Sequence, residues 1–151
     1  MFPGDYLIAG KKFTQVYEDR CIPVCKQFGL NQSALDLILF IANNPQLNTA
    51  RDVCEIRGIK KGIVSVTVEN LVTGGFLHRE NDTEDRRIQR LQLTSACKPI
   101  VDAGRKAQTT FLTELSDALT PEELTILQQI NQKLMAKVSA MQSSLDANKR
   151  N

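Results

Sequence analysis

A mainly α fold with one small β-hairpin is what this chain of 151 residues predicts, on three observations. Apolar residues recur at steps of three and four over most of the length, two adjacent glycines (Gly74 and Gly75) break that period, and two short runs around a charged loop come after them. Hydrophobic residues make up 42% and charged residues 24%, the composition of a chain with a packed core. The length allows one domain with arms that pair with a second copy, not two independent cores.

In order along the chain, Leu7, Ile8, Phe13, Val16 and Tyr17 predict an amphipathic helix from Asp5 to about Arg20. Pro23 is expected to kink or interrupt it, and Gly29 to end the segment beyond the proline. Asn31 is placed to cap a second helix, whose nearly continuous apolar stretch from Ala34 to Ala42 predicts burial on most sides before Asn43, Asn44 and Pro45 close it. Thr49-x-x-Asp52 is a capping-box pattern announcing a short third helix, with Val53 and Ile56 three apart and Gly58 as the stop. A fourth begins near Lys60 and carries Ile63 or Val64, Thr67 or Val68, and Leu71 on one face. Its β-branched content makes a strand the competing reading, but the steps from Val64 to Val68 to Leu71 favour a helix.

After the glycines, "FLHRE" and "RLQL" read as two strands joined by "NDTEDRRIQ", too long for a two-residue turn, so the hairpin is expected to project as a flap. From Thr94 onward Ile100, Ala107, Phe111, Leu115 and Leu119 restore a helical period. Thr120, Pro121 and Glu123 then supply the N-cap, first residue and N3 glutamate of a last helix. Its stripe is Leu124, Leu127, Ile130, Leu134, Val138 and Met141, and the polar tail from Ser143 is expected to fray. The first helix and the last two carry more apolar face than the middle can cover, which predicts a two-fold dimer.

Several function classes are not expected. No apolar run approaches the roughly 20 residues of a membrane span, and Met1-Phe2-Pro3-Gly4-Asp5 lacks the basic-then-apolar layout of a secretory signal, so the expected location is the cytoplasm, with no membrane partner. The chain has no phosphate-cradling glycine loop, no metal-ligand spacing and a single histidine, His78, without a partner for catalysis. Neither an enzyme nor a cofactor is expected. The four cysteines form no C-x-x-C pair, and their plain reading is reduced thiols acting as small apolar groups. Cys21 and Cys25, four apart, form the one candidate redox pair. A net charge of +2 says little about partners, so charge placement must carry the argument.

A short helix, a turn, a second helix and a hairpin are the layout of a winged helix-turn-helix, whose second helix fits a major groove about 12 Å wide. Lys60 and Lys61 stand at the start of that helix, Gly62 allows close approach, and Ser65, on the same side, can hydrogen-bond a base edge or a phosphate. Thr49, opening the preceding helix, joins them as a DNA-contact candidate. Arg86 and Arg87 lie near the hairpin tip, within reach of a minor groove, and Asp85 can orient a guanidinium beside it. A solvated acidic and basic loop is the plain alternative.

In "DTEDRRIQRLQLT", Asp82 to Thr94, an Asp-x-Arg step leads into a strand ending Leu-x-Leu-Thr. Together with "GLNQSALDLILFI", "IKKGIVSVTVENLVTGGFLHRE" and "ALTPEELTILQQINQKL", it resembles the MarR family of bacterial transcriptional regulators from about residue 6 to residue 138. The resemblance implies a single 1–151 unit: a winged DNA-binding part over about 31–94, with dimerisation helices over about 5–28 and 95–142. It implies a homodimer on double-stranded, pseudo-palindromic DNA, usually a repressor. Many members release DNA when a small aromatic or anionic effector, or an oxidant, reaches them; the family's effector pocket lies between dimer helices and winged unit. Asp85 and Arg87 match the wing's Asp-x-Arg, and Lys60, Lys61, Gly62 and Ser65 match early recognition-helix positions. The chain departs from the pattern at Lys60, Gly62, Cys97 and Val66, the last standing where the family often has arginine. The alternatives are a winged-helix dimer that binds a protein or ligand without reading DNA, and a regulator that senses oxidants through cysteine.

Overall fold

The structure, a computed structural model, describes residues 3–149, with side chains described over 8–144, so Leu7 of the first apolar pattern lies outside the described side chains. Its elements are α1 (Pro3–Phe28), α2 (Gln32–Asn43), α3 (Ala50–Arg57), α4 (Lys61–Thr73), β1 (Leu77–Asn81), β2 (Gln89–Leu93), a 3-10 turn (Ser95–Cys97), α5 (Lys98–Ser116) and α6 (Pro121–Lys149). Two compact units divide the chain, Met1–Phe111 and Leu112–Asn151. Among the described residues no helix is long and apolar enough to cross a membrane.

The core of the first unit is built around α2. Leu35, Ile38 and Leu39 are almost fully buried, and Asn31 Oδ1 accepts the Ala34 N–H at 2.8 Å to start the helix. Against this helix pack α1, α4 and β2. α5 comes so close that a Cβ on Gly104 would stand 2.7 Å from Leu39 Cδ2, so only glycine fits there without a shift. Phe111 of α5 meets Phe13 and Tyr17 of α1 edge-on, ring centroids 4.9 and 5.6 Å apart.

α1 differs from expectation, because it runs unbroken through Pro23. The proline itself is exposed, whereas Cys21 and Val24 on either side of it are buried in the core. Their burial holds the helix in place across the one backbone bond that proline cannot make. The stop at Gly29 is as expected: φ is +64°, and the Leu30 N–H closes on Cys25 O at 2.9 Å.

α4 is a helix, with Val64, Thr67, Val68 and Leu71 buried and Ile63 about half exposed. The Thr67 hydroxyl donates to Ile63 O at 2.8 Å, so its burial leaves no unpaired polar group. In α3, by contrast, only Val53 is buried, and Ile56 stands 54% exposed. The hairpin pairs Leu77 with Leu93 and Arg79 with Leu91, placing the buried Leu77 and Leu91 on the core side. β2 is also held on its other side, where the Leu91 N–H donates to Asn48 O at 2.7 Å.

The helical period expected from Thr94 begins only at Lys98, because a 3-10 turn intervenes; Leu119 lies past the end of α5. That turn buries Cys97, whose Sγ–H donates to Phe76 O at 3.1 Å. In the second unit, the Thr120 N–H donates to Glu123 Oε2 at 2.8 Å and the Glu123 N–H to Thr120 Oγ1 at 3.2 Å, the expected capping box of α6. Leu127, Ile130, Leu134, Val138 and Met141 form its exposed apolar stripe. The helix continues to Lys149, so most of the tail expected to fray is helical, and residues 150–151 lie outside the described part.

Candidate nucleic-acid interface

The helix-turn-helix is set by local chemistry at each joint. α3 opens with a full capping box, the Asp52 N–H donating to Thr49 Oγ1 at 3.1 Å and the Thr49 N–H to Asp52 Oδ2 at 2.9 Å. It closes at Gly58, whose φ of +64° is a left-handed conformation suited to glycine. Lys60 then stands at the N-cap of α4 with no side-chain cap bond, its carbonyl accepting the N–H groups of Ile63 and Val64 at 3.0 and 3.2 Å. The buried face of α4 fixes the opposite one, on which Lys61, Gly62, Ser65 and Val66 are exposed. Beneath it, Arg57 at the end of α3 reaches Asp36 of α2 at 3.6 Å; burial raises the Asp36 carboxyl above its ordinary range.

The hairpin turn is organised by two aspartates. Asp82 Oδ1 accepts the N–H groups of Glu84 and Asp85 at 2.9 and 3.1 Å, while Oδ2 pairs with Arg90 Nε. Arg90 Nη1 in turn donates to Oδ1 of the buried Asn48 at 2.9 Å, tying the wing to the segment that caps α3. The Asp85 carboxylate takes Arg87 in a two-pronged pair, Nε to Oδ1 at 3.0 Å and Nη2 to Oδ2 at 2.8 Å. Arg87 nonetheless remains 90% exposed, its other guanidinium donors directed to solvent. Arg86, beside it, is also exposed.

Of the residues singled out in the sequence, Thr49, Lys61 and Arg87 line one cleft of about 880 Å³, together with Arg51, Gln89 and Arg90. A smaller hollow of about 300 Å³ joins Lys61 to Ser65, again with Arg51. Lys60, Gly62, Asp85 and Arg86 line neither. Sequence reasoning missed Arg51, exposed on α3 and paired with Glu55 at 2.7 Å. It also missed the Asn48 and Arg90 contact, which joins residues far apart in the chain and leaves no local signal.

Cys21 and Cys25 lie in a different place, on α1. All four cysteines are free thiols, Cys21 buried and Cys25 partly so. Burial pushes both thiols up, which keeps them protonated at neutral pH and weakens them as nucleophiles.

Backbone N–H donors from Asp85 and Glu84, then Arg90, hold the Asp82 carboxyl at about 2, below its ordinary 3.8. A lowered value means that the stabilisation is complete above the unfolded value and is lost as pH falls through about 2. The amides of Glu84 and Asp85 are therefore expected to lose their protection, measured relative to the intrinsic exchange rate at each pH, as pH falls through about 2. In an Asp82→Asn variant that acid dependence should flatten; an identical profile in both proteins rules out Asp82 as the latch of the wing.

A capped short helix, a tight turn, a second helix with one face anchored and the other open, and a hairpin presenting an arginine make this chain a winged helix-turn-helix protein. The MarR family model matches residues 28–88, the whole helix-turn-helix and most of the wing. Over that stretch the chain is similar to the MarR family. It is similar to the HTH-type transcriptional regulator PapX of Escherichia coli, 27% identical over 114 residues that cover 74% of this chain and 69% of PapX. Among solved structures it is similar in fold to MarR (TM-score 0.74, 18% identity, 95% of each chain). It is likewise similar to the MepR–DNA complex of S. aureus (TM-score 0.71, 17% identity, 91% of this chain and 99% of that one).

Proposed function

We propose that the protein is a sequence-specific repressor that acts in the cytoplasm as a homodimer on a pseudo-palindromic operator. The observation that carries this reading is the cleft in which Lys61 of the recognition helix and Arg87 of the wing converge, with Thr49 and Arg51 between them. In this reading Lys60 and Lys61 neutralise phosphates at the rim of the major groove, and Ser65 hydrogen-bonds at its floor. Gly62 lets the backbone come near, and Arg87, braced by Asp85 with Arg86 beside it, enters the adjacent minor groove. Residues of about 31–94 make the reading head, and the helices of about 5–28 and 95–142 pair with a second copy. The exposed apolar stripe of α6 supports that pairing. Release by a small aromatic or anionic effector is included on the family resemblance alone.

Selection of bound duplexes from a random DNA pool, followed by a salt titration on the recovered sequence, tests the reading. An inverted repeat is expected, with log affinity falling linearly in log salt at about −0.9 per phosphate neutralised. A pool that yields no common sequence, with binding indifferent to salt, points instead to a winged-helix dimer that engages a protein through apolar contacts.

A further inference from the structure

The outward face of α4 carries one residue for which the fold gives no use. Val64, Thr67, Val68 and Leu71 fix the inward direction of the helix, and at about 100° per residue the opposite ridge is Gly62, Val66, Glu69 and Thr73. Gly62 has no side chain to offer. Glu69 is engaged by Arg79 across 2.8 Å. Thr73 closes the helix at the end remote from Lys61. Val66 is thus the side chain that projects furthest from the anchored face in the first two turns, and it is 62% exposed. Nothing in helix propensity asks for it, since an exposed β-branched residue is slightly unfavourable in a helix interior.

The chemistry around it is as specific as its position. Between Lys61 and Thr73 the helix has no arginine and no glutamine, so past the phosphate-contacting Lys61 the exposed side chains of its first two turns are Ile63, Ser65 and Val66, of which Val66 points furthest from the anchored face. Valine can neither donate nor accept a hydrogen bond. Placed against the floor of a major groove it would strip water from the O6, N7 or amino edge of a mismatched base and return no partner, which is a cost. The one apolar group that the floor of the groove presents is the C5-methyl of thymine.

We propose that Val66 reads a thymine methyl, making one T·A pair in each half-site a specificity determinant of this protein. The inference rests on the DNA-reading function proposed above and adds the kind of base that the recognition helix selects. It also assigns that selection to shape and apolar contact at one position, beside the polar contact of Ser65.

Deoxyuridine differs from thymidine only by the missing methyl, so it isolates this contact. In the selected operator each thymine is replaced in turn by deoxyuridine, and affinity is measured for the parent protein and for Val66→Ala, which changes an exposed side chain and leaves the core untouched. At one thymine per half-site the parent is expected to lose about three- to five-fold, the worth of one buried methyl-sized group. Val66→Ala is expected to bind the two duplexes equally. If the parent binds every deoxyuridine duplex as well as the thymine one, or if Val66→Ala keeps the parent's preference, the inference is overturned while operator binding itself stands. If no operator is selected at all, the inference falls together with the reading beneath it.

Discussion

Replacing Arg87 with Ala is expected to weaken operator binding by about 1–3 kcal/mol, roughly 5- to 150-fold, without changing the melting temperature. The side chain is 90% exposed and its pairing with Asp85 is a surface contact, so little stability depends on it. Its value lies in the bound state, where a guanidinium already oriented by Asp85 loses little freedom on meeting a narrow groove. Asp85→Ala should therefore weaken binding less, because the charge remains and only its orientation is lost. Lys61→Ala should act differently again, lowering the slope of log affinity against log salt by about one phosphate's worth, across sequences alike. Quantitative binding of the three variants to the selected operator separates these effects. An Arg87→Ala protein that binds like the parent takes the wing out of the mechanism.

The second large effect is expected on α6. Leu134 and Val138 stand on successive turns of its stripe, 51% and 45% exposed. A Leu134→Asp/Val138→Asp protein should sediment as a monomer, because two carboxylates cannot be buried in an apolar seam without charge partners. The helix itself should survive, since its capping box at Thr120 and Glu123 is untouched. With two half-sites no longer joined through one molecule, operator affinity should fall by about 10²- to 10⁴-fold, although each winged unit remains folded. A variant that still sediments as a dimer excludes this stripe as the seam.

The contrast between what the sequence disclosed and what it hid tracks the distance over which each feature is determined. Asn31, the Thr49–Asp52 box, Gly29 and Gly58, and the Thr120–Glu123 box each act within a few residues, and all are found where their spacing places them. The steps of Val64, Val68 and Leu71 likewise decided helix over strand. Pro23 misled because a proline's local cost was outweighed by the burial of Cys21 and Val24, which depends on packing against the rest of the core. Ile56, three from Val53, stays exposed while Cys54 joins Val53 against the core, a choice set by neighbours outside the helix. At the interface, the Asp85 and Arg87 pair was legible because it is local. Arg51 and the chain from Asp82 through Arg90 to Asn48 were not, because only the folded backbone brings them together.

The hairpin turn has a further property in its charge. From Asp82 to Arg90 there are three acidic residues, Asp82, Glu84 and Asp85, and three arginines, Arg86, Arg87 and Arg90, so the segment is electrically neutral. Asp85 and Asp82 also hold two of those arginines in pairs. A neutral wing gives little grip on arbitrary DNA, where affinity comes almost wholly from released counterions. In the proposed DNA-reading role the wing should thus add little to the hold on unrelated sequence, which falls to Lys60 and Lys61 at the start of α4. What the wing contributes is then felt mainly where a groove fits it, so its share of affinity becomes a share of discrimination between sites.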